Sequence, residues 1–262
     1  MALRIALGLE YDGRCFCGWQ TQPGGCAIQD AVERALAQVH GEPVRTIVAG
    51  RTDAGVHATS QVLHFDALHA RPLSAWQRGT NAHLPEGVAV LWARAVAEDF
   101  HARFAAQERT YRYYLLNHPV RPALMAGRVG WVHAPLDLAA MQAASKHLLG
   151  LHDFTSFRAA ECQARTPFRD LRVASVEKQG HYVIFEFRAN AFLHHQVRNM
   201  VGALVWVGLG RRLPVWLAEV LEARDRRQAA ATFSGDGLYL TGVAYGCEWG
   251  LPTTENRLPT LP

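Results

Sequence analysis

"VAGRTDAGVHATSQVLHF" runs from Val48 to Phe65 and sets an arginine and an aspartate between two glycines, with an extended, apolar-rich segment on either side. It reads as strand, loop, strand. In an extended or turn backbone, residues two apart project to the same side, so Arg51 and Asp53 share one surface. Gly50 and Gly55 admit loop shapes closed to other residues. Two arrangements fit this spacing: a reactive carboxylate beside a cation, or a turn whose Asp accepts its own backbone N–H groups. Periodicity does not choose between them.

Upstream, "MALRIALGLEYDG" alternates Leu3, Ile5, Leu7 and Leu9 with Arg4, Ala6, Gly8 and Glu10, the pattern of a strand and not of a cleavable export signal. "AIQDAVERALAQVHGEP" carries Ile28, Val32, Leu36 and Val39 at helical spacing and stops at Gly41 and Pro43, an amphipathic helix. Strands at Arg45 to Ala49 and Ser60 to Phe65, a short helix after Pro72 and a strand through Val88, Val90 and Trp92 complete a β-α-β-β-α-β order. The second half repeats it. There the pattern gives a strand at Arg109 to Leu116, a helix at Asp137 to Leu149, strands at Leu171 to Lys178 and His181 to Arg188, a helix from Phe192, and a last strand in "GLYLTGVAYG". The expected fold class is α+β: two ferredoxin-like halves joined in a mostly antiparallel central sheet, with helices packed on one face. Residues 1–100 form the first half, 101–250 the second, and 251–262 an irregular, Pro-rich tail.

With 262 residues, 49% of them hydrophobic, the chain is long and apolar enough to bury a real core. The longest apolar stretch, Met200 to Leu209, is about half of a membrane span and follows His194, His195, Arg198 and Asn199; it reads as a buried helix. Adjacent histidines on a helix point about 100° apart, and no H-E-x-x-H pattern accompanies them, so no metal site is expected. Cys15, Cys17, Cys26, Cys162 and Cys247 contain no C-x-x-C pair. Neither a disulfide framework nor a zinc site is indicated, and reduced thiols in a cytoplasm fit best.

Charge is uneven along the chain. Residues 1–100 hold 8 Arg against 10 acids, and residues 101–262 hold 19 basic against 13 acidic side chains. Residues 101–172 carry 10 basic and 5 acidic groups interleaved with Phe104, Tyr111, Tyr113 and Tyr114, a pattern suited both to gripping phosphates and bases and to a plain solvated face.

Eight blocks appear in order: "YDG" from Tyr11, "FCGWQ" from Phe16, "AGRTDAGVHA" from Ala49, "DFHARF" from Asp99, "TYRYY" from Thr110, "DFTSFR" from Asp153, "ANAFLHHQVRNMVG" from Ala189 and "GLYL" from Gly237. Together they resemble the bacterial tRNA pseudouridine synthase A family from about Ile5 to Tyr245. The resemblance implies the pseudouridine synthase fold and isomerisation of uridine to pseudouridine at positions 38, 39 and 40 of the tRNA anticodon arm. Asp53 is implied as the nucleophile and Arg51 as the residue that assists base flipping. Tyr111 is implied as a substrate-contacting tyrosine. A salt bridge to Asp53 is the alternative role for Arg51, but Arg198 suits that bridge better, because His195, Arg198 and Gly202 form a narrow polar stripe on an otherwise apolar helix and a buried cation needs a partner; Leu238 and Tyr239 are placed to close the pocket. For Tyr111 and Leu238, plain core packing is the alternative. Arg71, Arg78, Arg103, Arg109, Arg158 and Arg165 are assigned to RNA phosphates, solvation being the alternative for each. The reaction has no redox step, so neither nucleotide cofactor nor metal is implied. A cytoplasmic homodimer acting on tRNA, with no membrane contact, completes what the resemblance implies.

Two competing functions remain open to the sequence. One is a non-catalytic RNA-binding protein on the same scaffold. The other is a glycoside hydrolase, which needs a second catalytic acid across the pocket; no such acid stands beside the Arg-Thr-Asp loop.

Overall fold

The structure, a computed structural model, describes residues 3–252; most of the expected tail lies outside the described residues. The chain forms two compact units. One comprises the residues up to Glu108 together with those from Tyr239 onward, and the other Arg109–Leu238.

In the first unit, β1 (Leu3–Tyr11), α1 (Ile28–His40), β2 (Ile47–Val48), β3 (His57–Ala67), α2 (Thr80–His83) and β4 (Val88–Val96) follow the expected order. β1 lies between β4 and β3, antiparallel to both, and β2 pairs with β3. This 4-1-3-2 order is that of the ferredoxin-like unit. β10 (Leu238–Ala244) adds a parallel pairing to β3 through Tyr239 with His57 and Leu240 with Ala58.

The two faces of the sheet are filled differently. Ile5 pairs with Phe65 in register, and Phe65 meets Trp76 edge-on at 5.2 Å; that side carries the helical segments. On the other side Ala6 joins Phe100 and Ala102, against which Trp92, Tyr245 and Trp249 pack. α1 forms because Ile28, Val32 and Leu36 bury one stripe. Asp30 accepts from Ala27 N at its start, and Gly41 ends it at φ 95°.

In the second unit, β5 (Glu108–Asn117), β9 (Tyr182–Ala189), β8 (Phe168–Gln179) and β7 (Gly150–Asp153) lie side by side, each antiparallel to the next. β6 (Gly130–Val132) runs parallel to β5. Tyr113, Phe185 and Phe187 are fully buried, as is most of α4 (Gln196–Gly208). α3 (Leu138–Ser145) packs so closely on α4 that a Cβ at Gly208 would strike Met141. α5 (Trp216–Ala223) follows.

Four expectations need correction. The helix expected from Phe192 starts at Gln196, because the Gln196 side chain accepts from Leu193 N (2.8 Å) and His195 turns left-handed at φ 61°. His194 and His195 therefore precede the helix, and their rings lie 4.0 Å apart. The short helix after Pro72 is present, and it includes a π turn at Ala75–Gly79 that runs into α2. The helix expected to reach Leu149 becomes α3 followed by a 3₁₀ turn at Lys146–Leu148. Not all five cysteines are thiols: Cys17 and Cys26 form a disulfide, their Cα atoms 5.5 Å apart, in a loop where Cys17 N donates to Cys26 O. No described helix is long and apolar enough to cross a membrane.

Candidate active site

The Arg-Thr-Asp loop joins β2 to β3, and its middle residue faces inward. Thr52 is buried, whereas Arg51 is exposed and Asp53 half-buried, so the two charged side chains flank an anchored centre. The anchor is a buried polar network. The Thr52 hydroxyl lies 2.8 Å from the Tyr11 hydroxyl, and Gln61 Nε2 donates both to Tyr11 Oη (3.1 Å) and to Gly50 O (2.7 Å). Burial pushes the Tyr11 hydroxyl up to about 12, against the opposing hydrogen bonds from Thr52 and Gln61, so it remains protonated. Each polar group of the network is thereby matched where water does not reach it.

The backbone completes the pedestal. Trp19 N donates to Thr52 O (2.9 Å), and Val56 N closes the turn on Asp53 O (3.2 Å). Gly18, left-handed at φ 95°, lies so close to the loop that a Cβ there would stand 2.8 Å from Thr52 O. At Gly13 a Cβ would overlap Val56 O. The blocks "YDG" and "FCGWQ" are thus the floor on which the loop stands. His57, at the loop's exit, accepts from Gly13 N (3.1 Å) and stacks on Tyr239 at 4.5 Å and 17°.

Three expected substrate-contacting residues belong to the second unit. Tyr111 is buried on β5, edge-on to Phe192 at 5.2 Å. Arg198 donates from Nε to Phe233 O (2.8 Å), and on the same side of α4 a Cβ at Gly202 would meet Ala231 O. Leu238 is buried, its N–H bonded to Gly235 O (2.9 Å).

The six arginines assigned to RNA divide into two kinds. Arg71, Arg78, Arg103 and Arg165 are exposed. Arg109 is buried and donates to Asn190 O (2.9 Å), and Arg158 donates from Nη2 to Cys162 O and Ala164 O. Sequence reasoning missed Arg169, buried and donating to Thr166 O (2.9 Å). Burial holds its pKa below the usual arginine value, with Arg158 and Arg109 adding to the depression and Cys162 opposing it. It also missed the Tyr11–Thr52–Gln61 network, which joins two buried polar strand residues, Tyr11 on β1 and Gln61 on β3, to the buried Thr52 of the loop.

A family model described as tRNA pseudouridine synthase matches residues 9–105 and 144–246. The chain belongs to the tRNA pseudouridine synthase family. It is 58% identical to tRNA pseudouridine synthase A of Thiobacillus denitrificans over 257 residues, 98% of this chain and 99% of the relative. It is 60% identical to the protein of the same name from Methylobacillus flagellatus, covering 98% of both chains. The Dechloromonas aromatica protein, also tRNA pseudouridine synthase A, is 59% identical over 95% of both. The stretches matched to the pseudouridine synthase family contain the Arg-Thr-Asp loop with its floor, Arg198 and Leu238; Arg109 and Tyr111 fall between them.

Proposed function

We propose that this chain, an isomerase by family, converts uridine to pseudouridine at positions 38, 39 and 40 of the tRNA anticodon stem-loop, with Asp53 as nucleophile. The observation that carries the reading is the Arg-Thr-Asp loop itself: Thr52 is locked into a buried network, which leaves Arg51 exposed and Asp53 half-buried on either side of it.

Pseudouridine formation breaks the bond between the base nitrogen and the sugar's anomeric carbon, turns the base, and joins the same sugar carbon to carbon 5. An aspartate is suited to attack or stabilise an electron-poor carbon of this kind. The target base must leave its stack, at a cost of a few kcal/mol. Arg51, exposed on the same loop, is assigned to assisting that extrusion. The freed base must also be kept from water, or an abasic site results; Tyr111 and Leu238 are assigned to contacting it. Arg198 is assigned to the substrate-binding set, and Arg71, Arg78, Arg103, Arg109, Arg158 and Arg165 to the RNA backbone. A cytoplasmic homodimer is the assembly and location we infer from the family.

The test is release of tritium from carbon 5 of uracil in unmodified tRNA. Wild-type protein releases it, and Asp53→Ala and Asp53→Asn do not, while both still bind tRNA. Equal release by Asp53→Asn rejects Asp53 as nucleophile, and binding without release by the wild type points to a non-catalytic RNA-binding protein.

A further inference from the structure

We propose that Phe104 is a preformed stacking platform for an unpaired nucleobase of the RNA substrate. Among the large apolar side chains Phe104 is unusually open, 76% exposed, although the segment carrying it is tightly fixed. Beneath it lies the imidazole of His101, its ring centroid 4.2 Å away and tilted by only 27°. That imidazole is immobilised in turn: its Nδ1 accepts from Arg103 N and Phe104 N, both at 3.2 Å, and its ring meets His64 edge-on at 5.1 Å. Burial, foremost, and the charges of Arg4 and Arg103 hold the His101 pKa below the usual imidazole value. The ring stays neutral and keeps its acceptor lone pair at neutral pH.

The backbone on either side is fastened as well. Ala102 N donates to His64 Nδ1 (3.1 Å), the Tyr245 hydroxyl donates to Ala102 O (2.7 Å), and Ala102 is fully buried. A phenyl ring on an unstructured loop loses conformational freedom when it binds. Here most of that ordering precedes the ligand, which is the condition under which one aromatic contact contributes its full strength. The exposed Arg103 guanidinium lies over the Phe104 ring, 5.7 Å from its centroid. A cation paired with an exposed aromatic ring is the combination that recognises single-stranded nucleic acid: an incoming base takes the guanidinium's place on the ring, and the displaced arginine takes the phosphate. A protein partner is the competing occupant of an exposed phenyl ring, and the adjoining positive charge favours the polyanion.

The inference rests on the tRNA reading above and adds a contact to which neither the reaction nor the arginine assignments lead. The experiment titrates fluorescein-labelled, unmodified tRNA with wild type, Phe104→Leu and Phe104→Trp, with sedimentation velocity on each protein. Phe104→Leu keeps apolar bulk and loses the π-face, so its tRNA affinity falls about 5- to 150-fold, and Phe104→Trp restores wild-type affinity or exceeds it. The sedimentation profile stays the same throughout. Wild-type affinity in Phe104→Leu overturns the proposal. So does a loss in Phe104→Leu that Trp does not restore, or one accompanied by a changed oligomeric state, which assigns the ring to a protein contact. Failure of the wild type to bind tRNA sinks the parent reading instead, so the two failures are distinguishable.

Discussion

Gly18 and Gly24 lie in the same loop with nearly the same left-handed φ, 95° and 105°, which makes them a pair for measuring how firmly the floor supports the Arg-Thr-Asp loop. An alanine at either position carries the left-handed penalty of about 1–2 kcal/mol. At Gly24 nothing lies within 4 Å of the added methyl, and the penalty ends there. At Gly18 the methyl stands 2.8 Å from Thr52 O and 3.0 Å from both Ala54 N and the Asp53 carbonyl carbon. These are backbone atoms and cannot swing aside like the end of a side chain, so overlap adds about 1–3 kcal/mol. Gly18→Ala should therefore cost roughly 2–5 kcal/mol in all, and the excess over Gly24→Ala isolates the contact with the loop. Urea unfolding reads the excess as a lower midpoint at unchanged slope, and tritium release from tRNA should fall in Gly18→Ala alone. Equal destabilisation of the two variants refutes the packing argument, and full activity in Gly18→Ala refutes the link between floor and loop.

Two further outcomes follow from buried or anchored charges. His64 is held neutral with a pKa of about 4, chiefly by burial and then by the charges of Arg4 and His101, with Asp66 opposing. The unfolded chain takes up this proton first as pH falls, so His64 alone should remove up to about 3 kcal/mol of stability between pH 6.5 and 4, its own contribution levelling off below. Urea unfolding across that range should show His64→Gln with a shallower slope, and an unchanged slope refutes the assignment. Arg158→Ala, which frees two loop carbonyls, should lower stability by about 1–3 kcal/mol. Exposed Arg165→Ala should leave stability alone and reduce the salt dependence of tRNA binding by about one counterion; the reverse pattern rejects the division of the arginines into two kinds.

What the sequence made legible follows from the range of its signals. The central strands β1, β3, β5 and β9 show as apolar runs or alternations long enough to recognise, and α1 shows a stripe with both ends marked. β6, with three residues, and β7, with four, are too short to carry a period. The start of α4 is not legible in the sequence, because Phe192 and Leu193 look like its first apolar turn and nothing local announces a left-handed histidine. The disulfide joins cysteines nine positions apart, a spacing that distinguishes nothing until the loop is folded. At the site, Arg51 and Asp53 are neighbours in sequence and could be read together. Tyr11 and Gln61 are fifty residues apart and meet only because β1 and β3 pair in one register. A polar residue's partner across a sheet is a property of that register, which no window along the chain contains.

The first unit is interrupted: the chain leaves it after Glu108 and returns at Tyr239. What the return supplies is specific, namely the strand beside β3, the ring stacked on His57, and the Tyr245 and Trp249 rings against Phe100. On a translating ribosome the intervening segment takes on the order of ten seconds to emerge. Throughout that interval the nascent chain already holds the Arg-Thr-Asp loop but lacks the pieces that finish its surroundings. A product aborted before Tyr239 carries Asp53 on a unit that lacks the strand beside β3 and the ring stacked on His57.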